Sequence, residues 1–154
     1  MVTDEIIKFL SGPVICSLAT ANAEQRPTFT RSFLITAESD KQMLQVFFPK
    51  IMSVRPLADI QANSRVAVGA VDFSNFQSRQ FKGKAVGQAE ASPAELEQIR
   101  NAINSLAPMF GQFFGPGSEA GWRSYITDPS LKITVELEEI YNQTPGPGTG
   151  GRIQ

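Results

Sequence analysis

The sequence predicts a mostly β protein, an antiparallel barrel of about six strands with two or three helices inserted between them. Three observations point there. Short apolar or alternating runs recur along the 154-residue chain with polar turns between them. Glycines 83 and 87 fall inside a long strand pattern, where they mark a bend or a close approach. Only SPAELEQIRNAINSL carries a full helix signature.

Taken in order, residues 3 to 11 read as a short helix. Thr3 caps it, Asp4 and Glu5 suit its positive end, and Gly12-Pro13 stops it. VICSLAT (14–20) is a strand, small and apolar on both faces. PTFTRSFLIT (27–36) is the second strand, ESDK a turn, and MLQVFF (43–48) the third strand. Leu57, Ala58 and Ile60 predict a helix from about Val54 to Ala62. RVAVGAVDF (65–73) and RQFKGKAVGQAEA (79–91) are the next strands. Ser92, Pro93 and Glu95 form a capped helix start, followed by a stripe of Leu96, Ile99, Ile103 and Leu106. Pro108 is expected to end or kink that helix, leaving MFGQFFGPGSEAGW (109–122) as an aromatic, glycine-rich loop. KITVELEEIY (132–141) alternates as the last strand, and the tail QTPGPGTGGRIQ has too much Pro and Gly for regular structure.

Composition removes several functions. Histidine is absent, which excludes a Ser-His-Asp triad, a histidine zinc site and a histidine general base. The single Cys16 can form neither an internal disulfide nor a thiolate cluster, and a reducing cytoplasm is the simplest location. MVTDEIIKFL has no basic leader, and no apolar run approaches a membrane span, so neither secretion nor membrane insertion is expected. A net charge of −1 argues against general nucleic-acid binding. That charge is uneven: residues 31 to 84 hold eight Lys/Arg against four Asp/Glu (+4), and the rest holds six against eleven (−5). A basic middle in an acidic chain fits a local anionic ligand or a solvated charged face. Any redox chemistry would belong to a bound cofactor.

Arg31 is the main puzzle. At a period of two, Pro27, Phe29, Arg31, Phe33 and Ile35 share one face, expected to be the buried one. Arg31 is then either a snorkelling side chain at the barrel rim or the planar fork that meets a phosphate. Arg55 stands before Pro56 at a helix start, suited to an anion or to pairing with Asp59 one turn on. Gln80 lies on a strand face with Lys82 and Lys84, solvated or lining the mouth of a site. Phe110, Phe113, Phe114, Trp122 and Tyr125 read as core closure or as a lid. Cys16 reads as a small core residue.

In order and spacing, LSGPVICSLATAN, RPTFTRSFLIT, ADIQANSRVAV, SRQFKGKAV and the closing YNQTPGPGTGG resemble the pyridoxamine-phosphate-oxidase-like family of FMN-binding split barrels, over nearly the whole chain. The resemblance implies one six-stranded split-barrel domain over residues 1–142, followed by a Pro/Gly-rich tail, 143–154. It implies a homodimer with two FMN sites at its interface, each lined by both chains, and electron transfer between the flavin and a small-molecule substrate or reduced nicotinamide. Carried over residue by residue, Arg31 and Arg55 hold the FMN phosphate, and Lys50 and Ser53 assist from the same loop. Phe48 and Pro49 lie beside the flavin ring, and Gln80 bonds it. The family's substrate-binding arginine–histidine signature has no counterpart, which argues against pyridoxamine-phosphate oxidation itself. The same fold without catalysis would bind a flavin, a deazaflavin or haem.

Overall fold

The computed structural model describes residues 2–39, 41–126 and 129–154. The turn expected at ESDK includes Asp40, which lies outside them. Among the described residues there are seven strands and four α-helices: α1 Asp4–Leu10, β1 Val14–Ala21, β2 Pro27–Ser32, β3 Leu34–Ala37, β4 Met43–Pro49, α2 Val54–Ala62, β5 Arg65–Asp72, β6 Ser78–Glu90, α3 Pro93–Phe114, α4 Pro116–Arg123 and β7 Ser130–Asn142. A 3₁₀ turn, Lys50–Met52, joins β4 to α2. All strand pairs are antiparallel, in the order β2-β1-β5-β6-β7-β4-β3. Because β2 and β3 follow one another in the chain yet stand at opposite ends of that order, the sheet must curl on itself.

The extra strand arises from a break at Phe33. The six-strand expectation took 27–36 as one strand; the chain instead changes partner there. β2 pairs with β1, and β3 pairs with β4. The Phe33 N–H donates to Phe47 O at 3.0 Å, and the Ser32 hydroxyl donates to the same oxygen at 2.9 Å. The break shifts the side-chain phase by one residue. Thr30 and Ser32 point into the barrel before it, and Ile35 does so after it. Arg31 therefore does not lie on the barrel-facing side as expected; it shares the outer face with Phe29, which is 68% exposed.

Two cores result. The first fills the barrel with Leu18, Leu44, Phe48, Val68, Phe81 and Val135. The second lies outside the sheet, where Phe33, Phe47 and Phe73 pack on Ile103, Leu106 and Trp122 of α3 and α4. β4 serves both, because Phe47 and Phe48 face opposite ways. The capping box at Ser92 and Glu95 is present, as expected. The loop expected after Pro108 is not: α3 runs through Pro108 to Phe114, and Gly115 at φ 92° hands the chain to α4. Tertiary packing outweighs the proline here. Ala107 and Leu106 are buried beside it, and the Trp122 indole N–H donates to Ile103 O at 3.1 Å.

Candidate functional site

The alternation of β1 and β5 builds the site's floor. Residues 16, 18, 68 and 70 fill the barrel, which leaves Ser17, Ala19, Ala67 and Gly69 on the outer face. Ladder pairing sets Arg31 opposite Ser17, Ser17 opposite Gly69, and Gly69 opposite Gln80. Arg31 and Gln80 thus stand on one row, three strand spacings apart, roughly 14 Å between backbones. Between them is a shallow trough with almost no side chain on its floor.

A cavity of about 310 Å³ occupies this end of the trough, lined by Phe29, Arg31, Ser17, Gly69, Gln80 and Arg79 among others. Arg79 is committed elsewhere: its guanidinium donates to Asn142 Oδ1 at 3.0 Å and Thr144 Oγ1 at 3.2 Å, and lies 5.7 Å from the Phe9 ring centre. Arg31 is different. It is half-buried, its guanidinium carbon lies 5.6 Å from the Trp122 ring centre, and among the described residues it has no carboxylate partner. A slightly larger cavity, about 320 Å³, sits at the seam of the two cores between Leu10, Phe33 and Leu106, and no charged side chain lines it.

Phe48, Pro49, Lys50, Ser53 and Arg55 are not in that trough within one chain. Phe48 is 1% exposed inside the barrel, and Pro49 is also buried. Lys50 pairs with Glu90 across the surface, which holds the Glu90 carboxyl below its usual range. Ser53 is buried and donates to Lys50 O at 2.7 Å, closing the 3₁₀ turn. Arg55 is exposed at the start of α2, its Nε 4.0 Å from Asp59. Asp59 is buried and acts as an anchor. It accepts hydrogen bonds from Thr28 and from Thr20, the latter at 2.8 Å, and these bonds hold its carboxyl below the usual range. So α2 is pinned to the β1–β2 edge with Arg55 left outside.

The sequence reading passed over Ser17 and Gly69 as site residues, although small residues at every second position of VICSLATA and RVAVGAVD carry the signal. The pattern of β7 predicts one clean alternation. Glu138 is instead an extra residue in the β6–β7 ladder, where Lys82 pairs with Glu139 and Gly83 with Leu137. Gly83 permits this, because a Cβ there would lie 2.0 Å from Glu136 O. The bulge turns Glu139 and Tyr141 onto the outer face beside Lys82 and Gln80. Burial pushes the Cys16 thiol up to about 12, with a smaller opposing pull from Arg31, so Cys16 stays a protonated core thiol at neutral pH.

No protein-family profile matches the chain, and no curated protein matches it either. Solved structures do. HupZ of Group A Streptococcus is 15% identical with a TM-score of 0.55, over 97% of this chain and 100% of that one. A candidate pyridoxamine 5'-phosphate oxidase from Lactobacillus delbrueckii is 15% identical with a TM-score of 0.52, over 91% and 93%. An F420 reductase is 15% identical with a TM-score of 0.51, over 90% and 98%. The resemblance to pyridoxamine-phosphate-oxidase-like proteins therefore holds at the level of fold: a mostly β chain built on a curled antiparallel sheet.

Proposed function

We propose that the chain is an FMN-binding flavoprotein of the split-barrel type that works as a homodimeric oxidoreductase. The observation carrying this reading is Arg31: a half-buried guanidinium with no carboxylate partner among the described residues, at the wall of a cavity with a bare floor. A half-desolvated cation is costly unless an anion meets it. A phosphate suits a planar fork of donors, and Gln80 across the floor offers an amide to a ring system.

The homodimer explains why the other residues stand apart. Arg31 and Gln80 come from one copy. Lys50, Ser53 and Arg55 come from the partner, together with the backbone at Phe48 and Pro49, so each site is lined by both chains. When bound, FMN supplies hydride and electron transfer to a small-molecule substrate or from a reduced nicotinamide. The chain's own residues bind the phosphate, orient the ring and exclude water; hydride transfer asks no protein acid or base of them, consistent with a chain that has no histidine.

Purified without added cofactor and then titrated with FMN, the protein should show a flavin spectrum and saturable binding. Neither appearing would reject the reading. Oxidation of reduced nicotinamide by the loaded protein separates an enzyme from a carrier. One second reading has a specific observation behind it: a structure sharing the fold is an F420 reductase. A deazaflavin phosphate would use the same Arg31, and parallel titration with F420 decides between the two.

A further inference from the structure

Several cations project from the outer face around β5, β6 and β7. Arg65 lies 3.1 Å from one oxygen of Glu138, and Lys84 lies 3.3 Å from the other. Arg152 lies 3.1 Å from Glu139 Oε1. Lys82 stands directly opposite Glu139 in the ladder, yet among the described residues it has no carboxylate within ion-pair distance. Its ammonium sits 4.5 Å from the centre of the Tyr141 ring instead.

The reason is that Glu139 is already engaged on both oxygens. Arg152 takes Oε1, and the Tyr141 hydroxyl donates to Oε2 at 3.1 Å. Arg152 reaches that position because the C-terminal residues fold back along β7. Ile153 N–H donates to Ile140 O at 2.7 Å, Asn142 N–H donates to Gly151 O at 2.9 Å, and Tyr141 forms an antiparallel bridge with Arg152. The tail thus holds Glu139 on Arg152, while Lys82 rests on the Tyr141 ring. A cavity of about 260 Å³ opens beside Lys82, lined by Ala19, Ala67 and Gly83 and by the charged Arg65 and Glu139, on the ladder row two residues along from Ser17, Gly69 and Gln80.

We propose that Lys82 is the anion contact of a second ligand site in this trough, and that Arg152 keeps it available by holding Glu139. The ligand class is a flat organic monocarboxylate. A single ammonium with three donors suits one carboxylate, the Ala19–Ala67 floor accepts an apolar plane, and the Tyr141 ring backs the ammonium from behind. If the flavin reading holds, this ligand is the second substrate; the site itself is defined without the flavin.

Benzoate is the probe and benzamide its uncharged control, both titrated calorimetrically into flavin-free and FMN-loaded protein. Benzoate should bind at least tenfold more tightly than benzamide. Lys82→Gln should weaken benzoate about tenfold and FMN by no more than twofold. Arg152→Gln should weaken benzoate comparably, because Glu139 is then free to pair with Lys82. Adding Glu139→Gln to that variant should restore benzoate binding, a rescue that a loosened tail alone would not give. Equal binding of benzoate and benzamide, indifference of benzoate to Lys82→Gln, or absence of the rescue would each overturn the proposal. Failure of the wild-type protein to bind FMN would reject the flavin reading alone, since the benzoate arm is also read on flavin-free protein.

Discussion

Gly69 lies opposite Ser17 in the β1–β5 ladder, and a methyl group at Gly69 would stand 2.7 Å from the Ser17 hydroxyl oxygen. The floor between Arg31 and Gln80 is bare because this position carries no side chain. Gly69→Val puts a β-branched group there, compatible with a strand but filling the trough. FMN affinity should fall at least tenfold while the unfolding midpoint moves by only a few degrees, read by flavin titration and thermal denaturation of the same sample.

The proposed dimer has its own signature. Arg31→Gln and Arg55→Gln homodimers should each bind FMN weakly. A mixed dimer of the two variants should recover one site of wild-type affinity, because one of its two sites pairs the intact Arg31 with the intact Arg55. Stoichiometry near one FMN per two chains is the expected titration result. Two weak sites in the mixed dimer would place both arginines in the same chain's site.

Asp59 ties α2 to the sheet through Thr28 and Thr20, and those hydrogen bonds lower its folded-state pKa. Its contribution to stability is therefore fully present above the unfolded carboxylate value and is lost as pH falls through the folded value. Thermal midpoints measured from about pH 6 down to about pH 3 should fall for the wild type and fall less steeply for Asp59→Asn. Thr20→Val, which removes one donor to a buried carboxylate, should cost about 1–2 kcal/mol by chemical denaturation at neutral pH.

The C-terminal residues seal the β7 edge beyond the end of β4, with hydrogen bonds that include Gly150 N–H to Asn142 O at 2.7 Å and Ile140 N–H to Gln154 O at 3.0 Å. Truncation after residue 149 should lower stability by about 2 kcal/mol, allowing for exposed groups that re-solvate. The barrel core does not use these residues, so the truncated chain should still unfold cooperatively.

Much of the fold was legible because local and tertiary preferences agree. Val54–Ala62 is a helix as its pattern predicts, and Ser92, Pro93 and Glu95 start α3 as their chemistry requires. The misreadings come from long-range terms. Nothing local in RPTFTRSFLIT announces that Phe33 will change partner from β1 to β4, yet that single step reverses which face Arg31 occupies. Pro108 looks like a helix end until the burial of Leu106, Ala107 and Trp122 is counted. Arg31 and Gln80 are both singled out by the sequence, and their shared row follows from pairing register. The state of Lys82 was not legible, because it depends on Arg152, seventy residues away along the chain and adjacent only through the returning tail.

On the proposed reading, Arg31 stands in the trough for the phosphate of a flavin. Comparison of FMN with riboflavin, which lacks only that phosphate, tests it most directly. In the wild-type protein FMN should bind at least tenfold more tightly than riboflavin, and in Arg31→Gln that preference should shrink several-fold while riboflavin affinity stays the same. An undiminished preference for FMN in Arg31→Gln would contradict the account.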